Sequence, residues 1–196
     1  LALRAAGIDA PGWTPAATSL RQRVAFCRNA FGDPWPDVSD AALLAGAEEL
    51  FAAELARVRE RADLARLDPA AALRRVLPWP QAARLEELAP ERIAVPGGSR
   101  VRVDYSDPAA PVLAAKLQEL FGWERAPRVA DGRVPLVVHL LSPAGRPLAV
   151  TSDLASFWSG AYRQVRAEMR GRYPRHPWPE DPAAARPTRR ATGGHD

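Results

Sequence analysis

From Arg100 to Tyr105 the chain alternates charged and apolar positions. Arg100, Arg102 and Asp104 stand against Val101, Val103 and Tyr105. A two-residue period sends successive side chains to opposite faces and predicts a half-buried strand. Pro96-Gly97-Gly98-Ser99 before it fits a tight turn, since proline pre-sets φ and glycine tolerates φ above zero. From Val112 to Phe121 the spacing of Val112, Leu113, Lys116, Leu117, Leu120 and Phe121 predicts a helix laid on the dry face of the sheet. Two further apolar runs, 133–141 and 146–151, bracket Ser142-Pro143-Ala144-Gly145 and predict a hairpin. Thr151-Ser152-Asp153 offers cap residues for a helix to Arg170, with a break near Ser159-Gly160 and Gly171 as its terminator. Four prolines between Tyr173 and Pro182 forbid helix and central strand, so that segment is expected to run extended along the surface.

The first half keeps a helical period instead. Leu20, Val24, Cys27 and Phe31 fall on one face of a helix starting near Thr18. Leu43, Ala47, Leu50, Phe51, Leu55 and Val58 continue on another, capped by Ser39 or Asp40. Asp68-Pro69 opens a short helix to Leu77, and Gln81–Leu88 forms one more. The expected class is α+β. A small N-terminal helical bundle precedes a β-hairpin/helix/β-hairpin/helix unit with an extended Pro-rich C-terminal segment. The expected divisions are a partly ordered lead-in at 1–17, a helical connecting region at 18–90, an α+β domain at 91–182 and a disordered tail at 183–196. Three Pro-Trp-Pro triplets, around Trp35, Trp79 and Trp178, are read as stiff corners each anchored by a buried indole.

At 196 residues there is ample apolar content for a packed core. No run of 18 apolar residues occurs, so no membrane span is expected. The chain starts at Leu1 without a basic segment followed by an apolar run; no signal peptide is expected, and an excerpt from a longer protein is. A lone Cys27 excludes an internal disulfide framework, favours a reducing compartment and reads as a small buried hydrophobe. The net charge of +4 is uneven: residues 1–90 carry −1, 91–182 carry +3 and 183–196 carry +2. All basic residues but Lys116 are arginine, which beside abundant Ala and Pro reads as GC-rich codon usage. A pI near 9.9 is therefore weak evidence for a nucleic-acid partner, and where the charges cluster matters more.

They cluster between Gly160 and His176. Arg163, Arg166 and Arg170 are spaced i, i+3, i+7 on one helix face, and Arg172, Tyr173, Arg175 and His176 follow. Guanidinium groups on phosphates with rings under bases is how single-stranded nucleic acid is held. The competing reading pairs these arginines with Asp153, Glu168, Glu180 and Asp181 and leaves Tyr173 and Trp178 to pin the extended segment. Arg92, Arg100 and Arg102 form a second basic set on the hairpin, which an ordinary charged solvent face also explains. Enzyme-like constellations fail. His139, His176 and His195 are too scattered, with one Cys, for metal-ligand spacing. His139 among Val and Leu reads as a core or sheet-face histidine. Ser152-Asp153 reads as a cap, and the adjacent pairs Glu48-Glu49 and Glu86-Glu87 point apart on their helices.

The blocks Arg92-Ile-Ala-Val-Pro-Gly-Gly-Ser-Arg-Val-Arg-Val-Asp-Tyr-Ser106, Pro111–Gly122, Leu140–Pro147, Asp153–Trp158 and Arg170–Pro182 resemble, in order, the C-terminal region of the HrpB family of bacterial DEAH-type ATP-dependent helicases. The resemblance spans about Gly32 to Pro182. It implies an auxiliary region that follows two RecA-like motor domains in a cytoplasmic RNA helicase, with residues 1–90 as the connecting helical part. The motor's own signatures are missing: no Gly-x-x-x-x-Gly-Lys-Ser/Thr loop and no Asp-Glu-Ala-His box occurs. No cofactor is expected in this chain; ATP and Mg belong to motor domains outside it. The implied partners are single-stranded nucleic acid, RNA first, and the motor domains in cis, with no membrane. The alternative is a structural or protein-interaction module that docks on the motor without touching nucleic acid.

Overall fold

The computed structural model describes residues 5–189. The start of the expected lead-in (1–4), the end of the expected tail (190–196) and His195 lie outside the described residues. The chain forms two compact units. One holds residues up to Ala89 with Tyr105–Ala109, the other Pro90–Asp104 with residues from Ala110 on.

The first unit is helical. Helix α1 (Pro15–Phe31) is capped by the Thr14 side chain, which accepts from Ala17 N, and Pro15 occupies the first turn, where its missing N–H costs nothing. It buries Val24, Phe26 and Cys27, and burial pushes the Cys27 thiol up to about 12, so it packs as a hydrophobe. The same face buries Arg23, which the apolar spacing did not reveal. Its Nε donates to Ala89 O at 2.5 Å, and one terminal nitrogen meets Glu86 Oε2 at 2.5 Å. Ala89 is the C-cap of a helix at Trp79–Leu88, so a buried guanidinium closes carbonyls that the helix end leaves open.

The single helix expected over residues 40–58 is three short ones, Asp40–Ala45, Ala47–Leu50 and Ala52–Leu55. The breaks fall at Gly46, a poor helix former, and at Phe51, whose non-helical backbone accompanies a ring only 1 % exposed. Pro69–Val76 follows, capped by Asp68. Of the three Pro-Trp-Pro corners, Trp35 and Trp178 are buried at 4 % and 7 %, but Trp79 is 79 % exposed. The expected buried anchor is therefore wrong for Trp79, which opens a helix and points away from its own core.

The second unit is a mixed five-stranded sheet with helices, in the α+β class. Strands β1 (Arg92–Ala94) and β2 (Arg100–Asp104) form an antiparallel hairpin. Strand β3 (Val112–Lys116) stands where a helix was expected, and only Leu117–Glu119 turns, as a single 3-10 turn. The residues fit both periods: Leu113 and Ala115 are buried and Ala114 and Lys116 exposed, while Leu117, Leu120 and Phe121 completed a false helical stripe. Pairing decided the outcome. All five residues of β3 run parallel to β6 (Val137–Leu141), outweighing the helix propensity of Ala, Lys and Leu. Two short strands, β4 (Arg128–Val129) and β5 (Val134–Pro135), sit in the crossover that a parallel pair requires. Strand β7 (Pro147–Thr151) completes the order β1-β2-β3-β6-β7.

One face of the sheet is dry: Val103, Leu113, Ala115, Val138 and Leu140 are all buried. Phe121, Phe157, Trp158 and Tyr162 form a ring cluster in the same unit, with centroids 5.2–6.3 Å apart in edge or tilted contacts. Helix α7 (Leu154–Ser159), capped by Asp153, and helix α8 (Tyr162–Arg172) carry three of those rings, with the expected break at Gly160 between them. In the chain they follow α1, the three short helices, Pro69–Val76 and Trp79–Leu88. Gly171, expected as the terminator, lies inside α8, which ends on Tyr173. Beyond Pro182 the described part of the expected tail makes specific contacts: Thr188 N donates to Gln118 O at 2.9 Å.

Candidate nucleic-acid interface

Two basic surfaces occur on the second unit, and the structure treats them differently. The first is α8, which turns Tyr162 and Met169 inward, 2 % and 3 % exposed. Arg163, Arg170 and Arg172 are exposed and, among the described residues, form no ion pair, while Arg175 is exposed just past the helix. Arg166 is only partly exposed. Its Nε donates to Trp178 O at 2.7 Å and a terminal nitrogen reaches Glu180 Oε1 at 3.5 Å.

That bond belongs to a set which holds the Pro-rich strap. A proline-rich segment cannot pair its own backbone in a ladder, so its carbonyls need partners from elsewhere. Tyr162 Oη donates to Pro179 O at 2.9 Å, Trp178 Nε1 to Tyr173 O at 2.9 Å, and Gly122 N to Pro182 O at 3.0 Å. Burial pushes the Tyr162 phenol up to about 12, against the opposing pull of Arg166, so it donates as a neutral hydroxyl. Tyr173 is half-buried and lies edge-on to His176, ring centroids 6.2 Å apart. His176 is half-buried too. Burial first, and the charge of Lys116 second, hold its pKa below the usual histidine value.

The second surface is the wet face of the sheet. Arg92 lies directly opposite Arg102, and Ala94 opposite Arg100. Arg92, Arg100, Arg102 and Lys116 are all exposed on this face. Among the described residues none of the four forms a salt bridge; Arg92 donates to Arg100 O at 3.1 Å. The register Val103↔Leu113, carried outward, sets Arg102 level with Ala114 and Arg100 level with Lys116. The hairpin tip is drawn to the end of β3 by Gly97, whose N–H donates to Glu119 O at 2.8 Å. A Cβ at Gly97 would stand 2.9 Å from Glu119 Cβ, so only glycine permits this approach. Cross-strand like charges destabilise a sheet, and this face keeps four cations beside the exposed Asp104; among the described residues none of the four cations is ion-paired.

Sequence reasoning named Arg100 and Arg102 but placed Lys116 on a helix. The alternation Leu113/Ala114/Ala115/Lys116 was the available signal for its true place. His139, half-buried, sits on this same face between Ala114 and Val150. Among the described residues, no group of three or more His, Cys, Asp or Glu could hold a metal ion, and no helix is long and apolar enough to cross a membrane.

Comparisons with known proteins bear on the whole chain. A family model described as ATP-dependent helicase C-terminal (HrpB_C) matches residues 50–182. The ATP-dependent RNA helicase HrpB of Escherichia coli (strain K12) is 44 % identical over 189 residues, 96 % of this chain. The chain spans only 23 % of that relative's length. The crystal structure of the E. coli DExH-box NTPase HrpB superposes with a TM-score of 0.86 at 44 % identity, over 96 % of this chain and 23 % of that one. That of the Escherichia coli DEAH/RHA helicase HrpB gives 0.71 at 41 % identity, over 89 % and 22 %. The extent of the match and of the shared fold makes this chain a member of the ATP-dependent helicase C-terminal (HrpB_C) family.

Proposed function

We propose that the chain is a non-catalytic accessory region of a cytoplasmic ATP-dependent RNA helicase, and that it grips the phosphate backbone of a single strand beside the motor. The observation that carries this reading is the cationic sheet face. Arg92, Arg100, Arg102 and Lys116 are gathered on adjacent strands with no ion-pair partner among the described residues, an arrangement stabilised by an added polyanion. Arg163, Arg170 and Arg172 extend the positive surface of the unit, whereas Arg166, Tyr173 and Trp178 serve the strap. The chain has no phosphate-binding loop for a nucleotide, so ATP, Mg and hydrolysis are assigned to motor domains outside it. Fluorescence anisotropy with a labelled 20-mer tests the reading. Arg100→Glu/Arg102→Glu should weaken binding at least tenfold at low salt, for all sequences alike. Unchanged affinity in that variant refutes it.

A second reading, docking on the motor domains in cis, is favoured by one observation: Trp79 at 79 % exposure, with Val76 at 42 % on the helix before it. Exposed tryptophan is a common interface anchor. Under this reading Trp79→Ala in the full-length helicase exposes new cleavage sites in limited proteolysis; an unchanged pattern rejects it.

A further inference from the structure

The basic half of the open sheet face continues into a half with a different chemistry. Ala114, His139 and Val150 lie directly opposite one another across β3, β6 and β7. Ala114 is exposed, His139 half-buried and Val150 61 % exposed. Val137 and Leu141, two residues either side of His139, share its face and are half-buried. The result is a shallow apolar strip with one ring at its centre, open to solvent, bordered by Arg92 on β1, Arg100 and Arg102 on β2 and Lys116 on β3, with Asp104 at the far end of β2 on the same face.

We propose that this strip is a base-binding subsite: the unpaired bases of a single strand lie on Ala114, His139 and Val150 while Arg92, Arg100, Arg102 and Lys116 hold its phosphates. The assignment rests on the phosphate grip proposed above and gives it a strand preference. Adjacent strands are about 4.8 Å apart, which sets His139 about 10 Å from the Arg102 backbone, two strands away. An arginine side chain reaching back over β3 leaves a gap that one nucleotide spans from phosphate to base. Stacking on a ring tolerates any base, since every base has a π-face, and histidine serves as such a platform. A duplex keeps its bases stacked inside and offers an apolar strip nothing. Charge complementarity therefore brings the strand, and the strip selects for unpaired bases.

The test uses the 196-residue chain and three labelled probes of equal length at low salt: an intact single strand, the same strand made abasic at every position, and a duplex. The intact strand should bind about tenfold more tightly than the abasic one, the gain expected from stacking a base or two. His139→Ala should remove that gap and leave abasic affinity unchanged, while His139→Phe should keep it. Val150→Ser, at a site too exposed to threaten folding, should narrow it. Equal wild-type affinity for intact and abasic strands overturns the subsite and leaves the phosphate grip standing. Equal losses on intact and abasic strands in His139→Ala overturn it as well. Absence of binding to all three probes overturns both readings.

Discussion

Helix α8 and the wet face of β1–β3 carry comparable numbers of cations, yet on α8 one of them ties down a separate segment, whereas on the sheet Arg92 bonds a carbonyl of its own hairpin. On α8, Arg166 satisfies a carbonyl of the proline-rich strap, and Tyr162 on the same helix satisfies another. On the sheet, Arg92 faces Arg102 across two strands with nothing negative bonded between them. A regular arginine spacing on a helix is thus compatible with a structural role. An excess of cations on a sheet face, four beside the one carboxylate of Asp104, is harder to explain without a ligand.

The largest effect should come from the inner side of α8. Tyr162→Ala removes a ring that is 2 % exposed from a cluster of four and should cost about 3–5 kcal/mol in urea denaturation. Arg166→Ala leaves Trp178 O without its partner and should cost about 1–3 kcal/mol. Arg100→Ala and Arg102→Ala should stay within about 0.5 kcal/mol of wild type, on the stabilising side. A destabilisation by Arg102→Ala as large as that of Arg166→Ala would erase the contrast between the surfaces.

The smallest effect is a pH dependence. His176 has its folded pKa held below 6.5 by burial and Lys116, so the unfolded chain takes up the proton first. Its contribution is undiminished above about pH 6.5 and declines as the pH falls from there through the lower folded value. His176→Asn should flatten the stability profile in that window. Asp153, held down by its bonds to Ser156, acts only at more acid pH, below the usual carboxylate value of 3.8, so the two steps separate.

Two helix starts of the first unit were legible because their caps are local: Ser39 and Asp68 each bond within their own first turn, whereas the cap at Thr14 was missed and the first helix was expected to begin only near Thr18. Arg23 was not, because its partners at Glu86 and Ala89 lie more than 60 residues away. Strand β3 was misread for the same reason. Nothing within Val112–Lys116 announces the parallel partner at Val137–Leu141, and the leucines of the next turn imitate a helix. The candidate site suffered in proportion, since Arg100 and Arg102 could be picked out by alternation while Lys116 and His139 reached the same face only through that pairing.

The central claim is tested most directly by salt titration of single-strand binding in two charge-reversal pairs. The log–log slope should be shallower in Arg100→Glu/Arg102→Glu by about 1.4 or more, at about 0.7 per lost phosphate contact. Arg163→Glu/Arg170→Glu should change it less. Equal slopes for wild type and the sheet variant, with the helix variant carrying the whole change, would contradict the account.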